Sequence, residues 1–198
     1  CIVSSNLDEF FEVRAEPHVA AARASGSQTA EFEQITAQVR HLVERQYALY
    51  QDELLPALAR CGIHVVAHGE RNAEQRRWVR ALFEREVRPL LLPVGLDPAH
   101  PFPQVANKSL NFIVRLGGTD AFGRRNEIAI VRVPRALPRF FKLPEALAQG
   151  GTRFVSVSSV VRAHLADLFP GRDVVEMSQF RVTRHSDLAV DEEDVRSL

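Results

Sequence analysis

The chain has 198 residues, of which 45% are hydrophobic and 25% are charged, and its 25 basic and 25 acidic side chains leave no formal net charge at pH 7. A chain of this length forms one or two globular domains and can bury a substantial core. The balanced charge argues against a chain-wide surface for a polyanion, so we expect no nucleic-acid partner.

The first 61 residues carry the apolar spacing of helices. A first helix is predicted up to about Arg14, with Val3, Leu7, Phe10 and Phe11 on its apolar face. Pro17 disrupts this helix, because proline lacks the backbone N–H and restrains the residue before it. A long helix is predicted from Thr29, and Gly62 is placed directly after the last helix of this region. Residues 1–61 therefore predict a helical domain of long antiparallel helices.

After Gly62 the spacing changes to that of strands, which are predicted at Ile63–Val66, Ser109–Leu116, Ile128–Val133, Arg153–Val157 and Ser178–Arg184. Asn72 and Gln75 form a capping box that opens a helix running to about Arg88. Ser158 or Ser159 caps a second helix. Pro89–Pro103, with five prolines, predicts an extended and stiff connection. Residues 62–198 thus predict a head domain with a mixed, mainly antiparallel sheet and flanking helices, and the whole chain is predicted to be α+β.

Cysteine content and hydropathy indicate the compartment. Cys1 and Cys61 lack a second thiol at CxxC spacing, which predicts a reducing cytoplasm rather than a disulfide framework. No stretch reaches the roughly 18 apolar residues that span a bilayer, and no signal peptide is present. We expect a cytoplasmic protein without an integral membrane segment, while peripheral membrane association stays open. The chain lacks an initiator Met and ends about two turns into a helical pattern after Asp191, so we expect a piece of a longer polypeptide.

Several motifs resemble functional sites and have a structural interpretation. Gly118–Arg125 has the glycine spacing of a phosphate-binding loop, but Arg124 and Arg125 replace the required Lys and Ser/Thr and a strand follows, so a hairpin turn is predicted. His64 and His68 have metal-ligand spacing only on a helix, whereas the flanking valines favour a strand. We expect no zinc site there.

Two further groups of residues leave a structural and a functional interpretation. His100 and Phe102 lie in the proline-rich turn, which predicts rigid packing against the head domain. Four arginines on or near predicted strands indicate a solvent face, with a phosphate path as the alternative. They are Arg132, Arg139, Arg181 and Arg184.

On the predicted first helix, Asn6 lies on the same face as Ile2, Phe10 and Val13. Its amide therefore sits at the rim of the apolar stripe, where a donor or acceptor left without a partner costs about 1–3 kcal/mol. Two interpretations stay open for this side chain. One is a hydrogen bond to another helix, and the other is contact with a ligand.

Blocks of sequence along nearly the whole chain carry the most specific signal. They are Ser4–Arg14 (SSNLDEFFEVR), Glu53–Leu58 followed by Gly62-Ile63, Val94–Pro103 (VGLDPAHPFP), Ile130–Pro134, Pro138–Phe140 and Phe180–Arg184. In this order the blocks resemble the N-terminal and head domains of the polyphosphate kinase family, bacterial enzymes that polymerise the γ-phosphate of ATP.

The resemblance implies a division of labour within the enzyme. In the family, ATP phosphorylates a histidine, which passes the phosphate to the growing inorganic polyphosphate chain. That histidine, the Mg2+ site and the phosphate-binding arginines belong to C-terminal domains whose motifs this chain lacks, so no catalytic residue and no metal ligand is carried over. The asparagine of the N-L-D-E-F motif binds nucleotide, and it matches Asn6.

The resemblance also implies partners. They are ATP and ADP, inorganic polyphosphate, and a second copy of the chain in a homodimer or higher homo-oligomer, with dimer contacts through the head domain. The chain alone is expected to be inactive, with Mg2+ bound by domains outside it. The alternative hypothesis is a non-catalytic dimerisation or scaffold module that binds no nucleotide of its own.

Overall fold

The computed structural model describes residues 2–25, 30–97, 102–119 and 127–183. Within these ranges helices precede two small sheets, which confirms the predicted α+β class. The backbone contacts separate the residues up to Glu53 from a second compact unit, Leu54–Val182. The boundary after residue 61 stays a prediction. None of the helices in these ranges combines the length and hydrophobicity that crossing a bilayer requires.

The first unit is helical throughout its described residues. Helix α1 (Ile2–Glu9) widens into a π-helical turn at Phe10–Arg14, and α2 (Glu16–Ser25) begins after the buried Ala15. The predicted disruption of the first helix near Pro17 is confirmed, whereas α2 was not predicted. Pro17 lies in the first turn of α2, where its missing N–H has no helical partner to lose. The long helix α3 (Ala30–Ala48) packs against α1 and α2 and leads into a π-helical turn at Leu49–Leu54.

The second unit opens with α4 (Leu55–Arg60) and the short strand β1 (Ile63–Val65). Gly62 between them has φ +72°, which confirms its predicted position after the helix. A 3-10 turn at His68–Glu70 leads to α5 (Ala73–Leu82), whose helical course continues through a π-helical turn at Phe83–Val87.

The capping box of α5 is confirmed in both directions. Asn72 Oδ1 accepts from the Gln75 N–H at 2.9 Å, and Gln75 Oε1 accepts from the Asn72 N–H at 3.2 Å. The amide nitrogen of Gln75 also donates to the carbonyl of Leu147 at 2.9 Å, so the cap is tied to a distant part of the second unit.

An antiparallel four-stranded sheet has the order β2-β4-β3-β7. Its strands are β2 (Leu92–Gly95), β3 (Asn111–Gly117), β4 (Ile128–Arg132) and β7 (Asp173–Phe180). The prediction that Pro89–Pro103 is only an extended connection was wrong for β2. Pro93 is tolerated there because β2 is an edge strand, where one side of the backbone needs no partner.

Strand β7 was predicted five residues too late, at Ser178–Arg184. The structure begins it at Asp173 because β7 pairs with β3 along its whole length, from Gly117↔Asp173 to Asn111↔Phe180. A register shift between Arg115 and Leu116 accommodates an extra residue in this ladder. The partner strand, rather than the local alternation, therefore sets the bounds of β7.

A three-stranded sheet has the order β1-β6-β5, with β5 (Phe140–Lys142) and β6 (Thr152–Ser156). Strand β6 runs parallel to β1 and antiparallel to β5. Helix α6 (Val157–Ala163) follows directly, and its N-cap is Ser156, whose Oγ accepts from the Ser159 N–H at 3.2 Å. The predicted caps Ser158 and Ser159 were wrong, because the extended backbone of β6 ends at Ser156 and both serines already lie in the helix.

The core of the second unit lies between its sheets and helices. Apolar side chains from α5, α6 and both sheets are fully buried, among them Phe83, Phe112, Val131, Val155 and Val160. This core holds the 3-10 turn at His68–Glu70 against α6.

Candidate functional site

Asn6 lies on α1 with an exposed side chain that forms no hydrogen bond within the described residues. The interpretation as a hydrogen bond between helices therefore finds no partner in the part of the chain that the structure describes. An exposed amide keeps its two donors and its acceptor available, and it loses little free energy because water satisfies them.

The apolar neighbourhood of Asn6 is partly open. Phe10, one turn further along, is half-buried and meets Phe11 edge-on, with the ring centroids 5.4 Å apart at 80°. Val13 is 57% exposed, although the helical spacing placed it in the apolar stripe. The π-helical turn from Phe10 explains this difference, because its wider period rotates later residues away from the face that 3.6-residue spacing predicts.

The arrangement joins hydrogen-bonding groups to an apolar surface. An amide can donate to and accept from the edge of a purine, and an aromatic side chain offers a surface to its face. These are the two kinds of contact that an adenine base needs. Asn6 and Phe10 thus offer a hydrogen-bonding group and an apolar surface about one helical turn apart.

The other predicted site residues are not brought together into a second centre of this kind. His64 lies on β1, as the valines predicted, and His68 lies in the exposed 3-10 turn. No group of three His, Cys, Asp or Glu residues within the described ranges could hold a metal ion. Cys61 is a free and exposed thiol.

The proline-rich turn is only partly described. His100 lies outside the described residues, and Phe102 is 58% exposed. The predicted packing of this turn against the head domain was therefore wrong for the Phe102 ring. Its position between two prolines restrains its backbone without supplying a partner for the side chain.

The glycine-rich segment Gly118–Arg125 joins two paired strands. Strands β3 and β4 pair antiparallel from Asn111↔Arg132 to Arg115↔Ile128, which confirms the predicted hairpin over a phosphate-binding loop. Gly118 has φ +73°, a conformation that favours glycine. Arg124 and Arg125 lie outside the described residues.

Of the four strand arginines, Arg139 and Arg181 are exposed, as a solvent face predicts. Arg132 donates from Nη1 to the carbonyl of Gln104 at 3.2 Å. Arg184 lies outside the described residues. The described positions give the phosphate path no support beyond exposure.

A basic cluster that the sequence did not reveal lies where the 3-10 turn meets α6. We define the basic cluster as His68, Arg71, Arg76, Arg162 and His164. Arg71 is only 2% exposed and donates from Nη2 to Ser159 Oγ, although 88 positions separate the two residues. No spacing rule relates residues so far apart, so the sequence alone gives no signal for this cluster.

The charges of the basic cluster act on one another. Partial burial lowers the pKa of His68 below its usual value, and the positive charges of Arg71 and Arg162 lower it further. His164 stacks on Phe83, with ring centroids 4.9 Å apart, and its Nδ1 lies 3.1 Å from Asp167 Oδ2. His164 thus ties one end of the cluster to the core residue Phe83.

Comparison with known families matches both parts of the chain. The family model of the polyphosphate kinase N-terminal domain matches residues 1–66, and that of the polyphosphate kinase middle domain matches residues 74–198. Together the two matches place the N-terminal domain and the middle domain of one protein family in this chain.

Individual proteins agree with this assignment. A polyphosphate kinase of Neisseria meningitidis serogroup C (strain 053442) is 49% identical over all of this chain and 30% of its own length, and one of Xylella fastidiosa (strain 9a5c) is 46% identical with the same coverage. The crystal structure of polyphosphate kinase from Porphyromonas gingivalis superimposes with a TM-score of 0.75 and 27% identity, over 98% of this chain and 31% of that one. The chain belongs to the polyphosphate kinase family and spans about 30% of the length of these curated relatives.

Proposed function

We propose that the full-length protein is a polyphosphate kinase, which reversibly transfers the γ-phosphate of ATP to a growing inorganic polyphosphate chain through a phosphohistidine outside this chain. Family membership is the observation that carries this proposal, because the family models match residues 1–66 and 74–198. The curated relatives that match the whole of this chain are named polyphosphate kinases. In this proposal the protein works in the cytoplasm.

The Mg2+ ion of the reaction is proposed to bind outside this chain. Mg2+ prefers several oxygen ligands in octahedral geometry. The described residues hold no group of three His, Cys, Asp or Glu that would suit a metal ion. As the resemblance to the family implies, we place Mg2+ with residues outside this chain, and we assign no step to a metal bound by the described residues.

Within the enzyme, the role of this chain at the ATP site is assigned to Asn6. Its exposed amide is free of hydrogen bonds among the described residues, and Phe10 provides an apolar surface one turn away. Asn6 would bind the adenine edge and so position ATP, while phosphoryl transfer is carried out by positioning and electrostatics in the remaining domains. A base contact of this kind is worth about 1–3 kcal/mol.

Replacing Asn6 tests this assignment. In the full-length protein, Asn6→Ala should raise the KM for ATP about tenfold with only a modest loss of kcat, because the lost contact is made before and during the transfer alike. Initial rates of polyphosphate synthesis over a range of ATP concentrations give both constants. Ser5→Ala is the matched control, since Ser5 is the exposed polar neighbour on α1. An Asn6→Ala protein with the KM of the Ser5→Ala protein would remove Asn6 from the nucleotide site.

The chain alone is expected to be inactive, because the proposed reaction runs through a phosphohistidine outside it. Incubation of the 198-residue chain with ATP labelled in the γ-phosphate should leave the label neither on the protein nor in polyphosphate. Labelled protein would show that the phosphate-accepting residue lies within this chain.

The second candidate function is a dimerisation and scaffold module without nucleotide binding. It is favoured by the apolar surface of the first unit, where no residue of α3 is buried and Tyr47 and Leu49 are 62% and 56% exposed. Exposed apolar surface of this kind is typical of interaction sites. Titration of ATP against the chain and sedimentation of the chain separate the two roles: self-association without ATP binding would favour the scaffold.

A further inference from the structure

We propose that the second unit carries an oxyanion site of the phosphate class beside the buried Arg71. It is formed by the exposed side chains of Arg76, which donates to the Arg71 carbonyl, and Arg162, which lies three residues after Ser159 on α6. Its ligand is a segment of inorganic polyphosphate. The choice of this ligand rests on the proposed function, whereas the site itself rests on the contacts of the basic cluster.

The first observation is a buried cation without an acid. Arg71 is 2% exposed, its Nη2 donates to the neutral hydroxyl of Ser159, and its Nε is buried without a hydrogen-bond partner among the described residues. A guanidinium stays protonated in proteins even where burial lowers its pKa, as it does here. A buried charge is costly unless an opposite charge compensates it, so this site favours the arrival of an anion.

The second observation is a set of free donors at the surface beside it. Arg76 and Arg162 are exposed, and within the described residues neither forms an ion pair with a carboxylate. Arg76 uses Nη1 to donate to the Arg71 carbonyl at 2.6 Å, which fixes its stem next to Arg71. Arg162 has no hydrogen-bond partner in the part of the chain that the structure describes. Each guanidinium carries five N–H donors, so most of them are available to a ligand.

The acids nearby are already engaged. Asp167 lies 3.1 Å from His164, and Glu70 accepts from the backbone N–H of Ala67 at 3.0 Å. Neither carboxylate reaches Arg71, Arg76 or Arg162 at ion-pair distance. The positive potential that depresses protonation of His68 is therefore not cancelled within the cluster.

The chemistry of the donors selects the ligand class. The planar guanidinium fork matches the oxygens of phosphate with two parallel hydrogen bonds, and such charge-assisted bonds are the strong ones. Several separate cations suit a polyanion better than a single phosphate, because each cation can bind a different phosphate unit of the polyanion. This reasoning favours a polyphosphate segment over orthophosphate.

The test measures binding of tripolyphosphate to the 198-residue chain, which lacks the phosphate-binding groups that the proposed function places outside it, by calorimetric titration at fixed ionic strength, with orthophosphate as the second arm. The double variant Arg76→Gln/Arg162→Gln removes two exposed cations and leaves the buried Arg71 in place. Its affinity for tripolyphosphate should fall at least about tenfold, as loss of charged hydrogen bonds predicts. The control Arg115→Gln removes an exposed arginine that already pairs with Glu176 at 3.0 Å, and should change the affinity by less than about twofold.

Three results would overturn the proposal. An unchanged affinity in the double variant would remove the site, and an equal loss in Arg115→Gln would show only general attraction of charge. Equal affinities for orthophosphate and tripolyphosphate would refute a polyphosphate segment as the ligand.

Synthesis of polyphosphate from ATP by the unmodified full-length protein tests the proposed function separately. If the full-length protein makes polyphosphate but tripolyphosphate binding does not depend on Arg76 and Arg162, only the proposed site is refuted. If the full-length protein makes no polyphosphate but tripolyphosphate binding depends on Arg76 and Arg162, only the proposed function is refuted.

Discussion

At the scale of single residues, Gly151 is the position where the backbone most clearly requires glycine. A Cβ at Gly151 would lie 2.4 Å from the carbonyl oxygen of Gly62, and Gly151 has φ +77°. The same oxygen accepts from the Thr152 N–H at 2.7 Å, which starts the parallel pairing of β1 with β6. A side chain at Gly151 would therefore push apart the two strands whose ends carry the basic cluster.

We predict that Gly151→Ala lowers the free energy of unfolding by about 2–4 kcal/mol, the sum of left-handed strain and a steric clash with backbone. Gly150→Ala is the matched control, since Gly150 has φ +84° but a methyl group there would meet no atom within 4 Å. The control should lose only about 1–2 kcal/mol, which is the strain alone. Urea unfolding of both variants measures the difference, and equal losses would contradict the close approach of Gly62.

Single residues also explain which candidate sites could be predicted from the sequence. Asn6 could be proposed from the sequence because its helical spacing and its motif are local, and both can be read along the chain. The basic cluster could not be found in this way, because Arg71 and Ser159 lie 88 positions apart and meet only through the fold. The exposure of Val13 was missed for a third reason, since no sequence pattern announced the π-helical turn at Phe10–Arg14.

At the scale of elements, α5 is the helix whose start depends most clearly on one side chain. Asn72 Oδ1 accepts from the Gln75 N–H, which has no partner within the helix. We predict that Asn72→Ala lowers the free energy of unfolding by about 1 kcal/mol, the usual value for loss of an N-cap. Asn72→Asp is the control, because it keeps the acceptor and places a negative charge at the helix N-terminus. Thermal unfolding of the two variants should differ, and equal melting temperatures would contradict the cap.

Elements with local signals were predicted, and elements set by their partners were missed. The cap of α5 and the glycine after α4 act within a few residues, so the sequence determines them. Strands β2 and β5 are short, and the former contains Pro93, so only their pairing with β4 and β6 makes them strands. Strand β7 begins at Asp173, where its pairing with Gly117 of β3 begins, and not at the start of its own alternating pattern.

At the scale of the whole molecule, the two units differ in how much they bury. Strand β4 contributes Ala129, Ile130 and Val131 at 1%, 0% and 0% exposure, whereas no residue of α3 is buried. Local opening costs least where few apolar groups are buried. The helical unit should therefore open far more readily than the sheets of the second unit.

Amide hydrogen exchange on the 198-residue chain measures this difference. At low protein concentration, we predict that the amides of α3 exchange at least about a hundredfold faster than those of β4, because α3 opens without exposing a core. If a second copy covers the apolar surface around Tyr47 and Leu49, exchange in α3 should slow as the protein concentration rises, while β4 remains unchanged. Exchange in α3 as slow as in β4 at every concentration would contradict the open helical unit, because protection of that kind requires fully buried side chains, which α3 lacks.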